Sequence, residues 1–321
     1  MKISKGYIVS GTLLGLALAL VVFVLGYSLI ILNNISYDEP GKTIPIETNL
    51  DQIEAPSNMK EGMSIPVFRE DKVWNVLLIG SDAAADGAFG RSDAMILMTV
   101  NEKTGNIHLT SLMRAIYVSI PNEPDPRYVN NYTPNYMLNA AHTWGGPELL
   151  LKTVQRNFRV DVSKYVAVNF EGFVEVIDAI GGVTINLTPA EANHLGLGSG
   201  AQLLNGAKAL DYSRIRKLDS DFYRMGRQRA VVSAVIEKMR TVDVVTLAKT
   251  AEAITPSLTT NYGKNELLSL ISRVPSYRKY PIDELMLPVE EYDAMVYING
   301  MEMYDIDWTR NINTLHEFMR K

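Results

Sequence analysis

Between Tyr212 and Arg229 the chain holds five arginines, one lysine and two aspartates. Arg214 and Arg216 stand two apart, so both guanidinium groups point the same way if the segment is extended. Arg224 and Arg227 stand three apart and share a face if the segment is helical. Arginine recognises phosphate by a planar, bidentate fork, which lysine cannot supply. A charge run is often just a solvated face, but such a face mixes in Lys and Glu. The pattern points to an anionic, pyrophosphate-like ligand. A second set lies upstream. Asp82 falls just past the apolar run Val73–Gly80, and Arg91-Ser92-Asp93 stands directly before the run Ala94–Val100. Ligand sites on open α/β sheets form outside the carboxyl ends of strands. Two carboxylates there could share a hard cation, since Mg²⁺ is held by one or two carboxylates plus phosphate oxygens. Aspartate is also a common turn residue, so the same two positions read equally as loop caps.

Composition narrows the chemistry. The 321 residues carry 31 basic and 36 acidic side chains, a net charge of −5, which argues against a globally basic nucleic-acid binder. There is no cysteine, which excludes a disulfide scaffold, thiolate zinc sites and a cysteine nucleophile. The four histidines, His108, His142, His194 and His316, show no zinc-ligand spacing.

The elements that must position these residues follow from apolar patterning. Val73–Gly80 is rich in β-branched residues and ends in glycine, the signature of a buried strand. Further strand-like runs are Ala94–Val100, Ile107–Leu112, Ile116–Ile120, Tyr165–Asn169 and Val183–Leu187. Helical spacing appears over Pro147–Phe158, Phe170–Ile180 (closed by Gly181-Gly182), Asn205–Ser213 and Gly226–Arg240. After Thr241 two more helices, strands at Leu285–Val289 and Met295–Ile298, and a last helix over Asp307–Met319 are expected. Interleaved strands and helices predict an α/β protein, an α-β-α sandwich around a mixed β-sheet.

The N-terminus predicts one transmembrane helix before that domain. No charged residue or histidine occurs from Gly6 to Tyr37, and Leu13–Leu32 is almost wholly apolar. A bilayer core takes about 20 such residues. A cleaved leader would carry only about 7–15, followed by a small-x-small site. Lys2 and Lys5 precede the run and Asp38 follows it, so the bulk of the chain is expected outside the cytoplasm. The expected organisation is a cytoplasmic tail at 1–6, an anchor at 7–32, a proline-dotted stalk at 33–72 and a domain at 73–321, with its motif core at 73–240.

Several motifs together make the resemblance specific. They are Asn75-Val76-Leu77-Leu78-Ile79-Gly80-Ser81-Asp82, Gly90-Arg91-Ser92-Asp93-Ala94-Met95, Leu112-Met113-Arg114 and Asn169-Phe170-Glu171-Gly172-Phe173. Asp178-Ala179-Ile180-Gly181-Gly182-Val183, Leu204-Asn205-Gly206-Ala207 and the arginine segment complete the series. In this order the chain resembles the LytR–CpsA–Psr family of membrane-anchored cell-wall enzymes. The resemblance implies a phosphotransferase that moves a glycopolymer, teichoic acid or capsular polysaccharide, from a polyprenyl-pyrophosphate carrier to peptidoglycan at the membrane of a bacterium. It implies that Asp82 and Asp93 hold Mg²⁺, with Mn²⁺ as a substitute. It implies that Arg91, Arg114, Arg214, Arg216, Arg224, Arg227 and Gln228 bind the pyrophosphate, with Arg91 and Arg114 closest to the chemistry. An apolar tunnel for the carrier would be lined by helices such as Phe170–Ile180, whose residues serve equally as core.

Two positions depart from that pattern. The family usually reads Pro-Arg-Asp where this chain has Met113-Arg114-Ala115, and often places lysine where Met137-Leu138 precede Asn139. The missing carboxylate leaves two other readings open, a non-catalytic binder of polyprenyl-linked glycans and a hydrolase that uses water as acceptor.

Overall fold

The computed structural model describes residues 35–38, 41–42, 44, 61–62, 64–82, 89–130, 132–216, 218, 221–241, 258–289, 293–298 and 300–321. Along the chain come β1 (Ser36–Tyr37), β2 (Val73–Ser81), β3 (Ser92–Asn101), β4 (Asn106–Leu112), β5 (Tyr117–Ser119) and β6 (Asn135–Met137). Then follow α1 (Leu138–Phe158), β7 (Tyr165–Asn169), α2 (Phe170–Ala179), β8 (Val183–Leu187), α3 (Pro189–Leu195), β9 (Gly200–Leu204) and α4 (Gly206–Arg214). The last part holds α5 (Asp221–Thr241), β10 (Leu258–Thr260), α6 (Lys264–Tyr277), β11 (Ile282–Leu287), β12 (Asp293–Ile298), β13 (Met301–Ile306) and α7 (Trp308–Arg320). Seven strands form one mixed sheet in the order β1-β10-β7-β2-β3-β4-β11.

Side chains alternate across a strand, so each central strand feeds two cores. Leu77, Ile79, Met95 and Leu97 pack on one face against Leu150, Val154 and Phe158 of α1 and Ile312 and Leu315 of α7. Leu78, Ile96, Met98 and Leu109 pack on the other face with Val232 and Ile236 of α5. Cover on both faces is why these strands read as nearly unbroken apolar runs. A third cluster joins Ile177 of α2, the β8–β9 hairpin, α3, α4 and Val231 of α5. The fold is therefore the mixed α/β architecture expected, with a central mixed sheet.

Three boundaries differ from the periodicity. Helix α1 starts at Leu138, ahead of Pro147, and is interrupted at Gly145 (φ −156°) and Gly146 (φ 66°), where the glycines break the apolar spacing. Helix α5 starts at Asp221, so Arg224 and Arg227 both lie inside it. The stretch expected as a stalk, 33–72, contributes to the body: Ser36 and Tyr37 pair with Thr259 and Thr260, and Ile44 and Phe68 are 2% and 3% exposed in the main core. Isolated insertions of this kind carry no period, so no window of the sequence displays them. The anchor expected at 7–32 lies outside the described residues, as does 242–257 among the helices expected after Thr241. Among the described residues no helix is long and apolar enough to cross a membrane.

Candidate active site

The strand pair β2–β3 places the first carboxylate. Gly80 faces Ala94 and Ser81 faces Ser92, so Asp93 is the extra residue of a bulge. A bulge breaks the alternation and re-aims a side chain at the end of a strand. A Cβ on Gly80 would stand 3.2 Å from that of Ala94, so glycine permits the close pairing beside the bulge. Asp93 Oδ1 lies 3.4 Å from Arg114 Nη1, and its Oδ2 lies 3.4 Å from Arg216 Nη2. Its backbone carbonyl accepts a hydrogen bond from Gln228 Nε2 at 3.3 Å. One aspartate thus gathers groups from β4's end, the α4–α5 link and α5.

Asp93, Arg216 and Gln228 open onto a cavity of about 340 Å³. Its mouth holds Asp93, Arg214, Arg216, Arg224 and Gln228, and its interior is apolar, with Phe173 and Ile177 of α2, Leu78 and Met98 of the sheet, and Val232 and Ile236 of α5. The cavity lies where α5 is shared between two core clusters, Val231 serving one and Val232 and Ile236 the other. Helix α2 is fixed by Asn169, whose side chain accepts the Gly172 amide at 2.8 Å, and α4 by Asn205, which accepts the Lys208 amide at 2.9 Å. Both asparagines act as N-caps. Asp178 Oδ1 ties the two helices by accepting the Gly206 amide at 2.7 Å. The motif residues around Asn169, Asp178 and Asn205 therefore build the cavity wall. Arg214 ends α4 and stacks over Phe170 at 4.6 Å from the ring centre. It is thus helical and not part of an extended Arg214–Arg216 pair, and the two guanidinium groups meet different neighbours at one mouth.

Asp82 and Arg91 form a separate small unit. Asp82 donates its amide to the Arg91 carbonyl at 3.2 Å and accepts the Arg91 amide through Oδ1. Arg91 Nε lies 3.9 Å from Asp82 Oδ2, and its side chain is 69% exposed. Any Cβ on Gly90 would overlap the Asp82 carbonyl, so the turn needs glycine there. His142 of α1 supports this turn: its Nδ1 lies 2.7 Å from the Gly90 carbonyl and so carries the proton, and its ring meets Phe89 edge-on. Burial pushes the His142 pKa down, against the weaker opposite pulls of that hydrogen bond and of Asp82. Nothing local marked His142, because its partner is 52 residues away in sequence.

Among the described residues no group of three or more His, Asp or Glu side chains converges on one point. Asp82 and Asp93 nonetheless offer hard oxygen donors at the ends of neighbouring strands. Two carboxylates without a full cage are the donor set that Mg²⁺ takes when phosphate completes its shell. Asp82 Oδ1 accepts the Arg91 amide and the two Asp93 oxygens face Arg114 and Arg216, so each carboxylate is already engaged by this chain's own donors.

Arg227 points elsewhere. It is 4% exposed, its Nη1 lies 3.5 Å from Glu191 Oε1, and its Nη2 donates to the Ile215 carbonyl at 2.9 Å. Glu191 also closes a capping box with Thr188 at the start of α3. The three-residue spacing from Arg224 holds, yet one guanidinium lines the cavity and the other is an internal strut between α5 and α3.

Comparison with known proteins fits this geometry. The model of the LytR_cpsA_psr family matches residues 43–320. The chain belongs to this family. It is 32% identical over 237 residues to the polyisoprenyl-teichoic acid–peptidoglycan teichoic acid transferase TagU of Oceanobacillus iheyensis, covering 73% of this chain and 71% of that protein. It is 34% identical over 190 residues to TagU of Bacillus subtilis, covering 58% of each chain, so the match spans little more than half of that relative. The solved structure of TagT bound to LIIa-WTA superposes with a TM-score of 0.64 at 24% identity, covering 80% of this chain and 94% of that one, which establishes the shared fold.

Against the usual LytR_cpsA_psr pattern, Ala115 has a backbone role: its carbonyl accepts the Tyr304 amide of β13 at 2.9 Å. The arginine beside it is not left without a carboxylate, because Asp93 reaches Arg114 from the bulge.

Proposed function

We propose that this chain transfers a glycopolymer of the teichoic acid or capsular type from a polyprenyl-pyrophosphate carrier to peptidoglycan. The observation that carries the reading is the continuity of an apolar cavity with an arginine-lined mouth. A polyprenyl chain is favoured in the apolar interior by its removal from water. Its two phosphates then rest at the mouth, where Arg214, Arg216, Arg224 and Gln228 supply forked and amide donors. Arg91 and Arg114 are assigned to the reacting phosphorus, Arg114 reaching the mouth through Asp93 at 3.4 Å. The acceptor hydroxyl oxygen attacks the phosphorus next to the sugar. The bridging P–O bond breaks, the hydroxyl proton is released and polyprenyl phosphate leaves. Arginines fixed before reaction stabilise the oxygens on which charge gathers, at no reorganisation cost. Asp82 and Asp93 would hold Mg²⁺ or Mn²⁺, which when bound neutralises phosphate charge. Arg227 acts by holding α5 in place.

The apolar run at 7–32 is proposed as a single-pass anchor with the N-terminus cytoplasmic and the domain outside. A reporter active only in the cytoplasm should be silent at the C-terminus, and a bright signal there overturns the topology. Incubating the full chain with a short lipid-linked polymer and peptidoglycan tests the activity. Polymer joined to peptidoglycan supports transfer. Free polymer identifies a hydrolase, and carrier binding without turnover identifies a binding protein.

A further inference from the structure

We infer that the end of the sheet carrying the cavity mouth faces the bilayer, and that Val129, Leu218, Tyr223, Met295, Tyr297 and Met301 form a rim seated in the membrane interface. This rests on the anchored reading above and adds to it an orientation and a lipid-contacting surface.

Strand register gives the direction. Strand β2 runs parallel to β7, with Gly80 beside Val168 and Ser81 beside Asn169, so both strands end at the site. Strand β10 runs the other way, with Leu258 beside Val168, and so begins at that end. Strand β1 lies parallel to β10, with Ser36 beside Thr259. The chain therefore enters the sheet from the end that holds Asp93 and the cavity mouth. Four residue steps separate Leu32, the end of the apolar run, from Ser36, a reach of at most about 14 Å. An anchor ending at Leu32 thus holds the mouth's end of the molecule next to the lipid.

The exposed apolar residues gather at the same end. Seven large hydrophobic side chains are exposed among the described residues, and Leu203 is the one outside this region. Leu218 and Tyr223 flank the start of α5, whose Gln228 reaches Asp93. Met295, Tyr297 and Met301 lie on the β12–β13 hairpin, which springs from the Ala115 carbonyl at Tyr304; that ring meets Phe222 of α5 edge-on at 5.9 Å. Val129 follows Arg127, whose guanidinium lies 5.5 Å over Phe89, next to Gly90 and Arg91. Tyrosine with its ring in lipid and its hydroxyl in water is the side chain of membrane interfaces. Tyr223 and Tyr297 are 66% and 74% exposed. At the mouth Arg214, Arg216 and Arg224 outnumber the one lining carboxylate, Asp93, a local positive excess on a chain of net charge −5 that suits anionic headgroups. With this orientation a carrier chain passes from the bilayer into the cavity without crossing open water.

The chain has no cysteine, so one introduced thiol labels one site. The full chain is reconstituted in phosphatidylglycerol–phosphatidylethanolamine vesicles as Tyr223→Cys, Tyr297→Cys or Thr104→Cys, each carrying an environment-sensitive fluorophore; Thr104 is exposed in the β3–β4 turn at the opposite end. Matched thermal melts confirm folding, and two rim positions give independent readings. Nitroxide-labelled lipid should quench the labels at 223 and 297 and leave the label at 104 bright. Equal quenching at all three, or none at the rim, overturns the proposal. Rim labels shielded by soluble peptidoglycan fragments and not by lipid assign the surface to the acceptor and also overturn it. Vesicle flotation reads the anchor separately: a chain that does not float refutes anchoring, whereas a floating chain with unquenched rim labels refutes the orientation alone.

Discussion

Replacing Arg227 by methionine tests the division of labour within the arginine segment. The residue is 4% exposed, and its partners include Glu191 at 3.5 Å and the Ile215 carbonyl at 2.9 Å. Removing one member of a buried pair costs about 3–5 kcal/mol, because the other charge stays buried. Glu191 keeps the Thr188 amide and hydroxyl, both at 2.9 Å, so the low end applies. At about 2–4 °C per kcal/mol, a loss of about 3 kcal/mol lowers Tm by about 6–12 °C. Below its melting point Arg227→Met should still bind a short-chain polyprenyl pyrophosphate with near-normal affinity. The double variant Arg227→Met with Glu191→Gln should regain part of the loss, since the stranded charge is removed while Thr188 keeps an acceptor oxygen. Arg224→Gln, three residues away, should instead weaken binding by about 10- to 100-fold, the value of a charged hydrogen bond of about 1.5–3 kcal/mol. Calorimetry for Tm and titration of the carrier analogue decide the matter. A nearly unchanged Tm in Arg227→Met together with lost binding would refute the internal-strut assignment.

Four further outcomes are expected. Val232→Trp should fill the cavity, weakening long-chain carriers by at least about tenfold in direct titration while leaving a water-soluble pyrophosphate unaffected; equal loss of both ligands would mean that the void is not the lipid site. Asp93→Asn should remove the carboxylate that faces Arg114 and Arg216, lower turnover by about 10²-fold or more and flatten its response to Mg²⁺, and full activity in excess chelator would remove the ion from the mechanism. Ala115→Asp should change turnover of a lipid-linked substrate by less than about tenfold, equivalent to about 1.4 kcal/mol, because Asp93 already meets Arg114; a rise of several orders of magnitude would give the missing carboxylate a chemical role. Burial is the leading cause that holds the pKa values of His108, His142 and His316 below the ordinary 6.5. The unfolded chain therefore binds more protons as pH falls through 6.5, so stability is full above that value and declines below it; a Tm that stays level from pH 7 to about 5 would contradict this.

The sequence by itself determined the parts whose signal is local. Unbroken apolar runs marked strands covered on both faces, Gly181-Gly182 marked a helix end, and arginine in place of lysine marked an anionic ligand. The family motifs were legible for the same reason, since caps, turns and strand ends are set by neighbours in sequence. Tertiary structure decided what depends on volume and on distant partners. Helical spacing placed Arg224 and Arg227 on one face, but only the packing of α3 against α5 sent one to the cavity and the other to Glu191. The apolar residues of α2 read equally as core or as tunnel, because local pattern records hydrophobicity and not whether a space is filled. Asp93 looked like a turn residue until the register slip between Gly80 and Ser81 made it the bulge on which Arg114, Arg216 and Gln228 meet. That slip is a property of two strands paired, and neither strand encodes it alone.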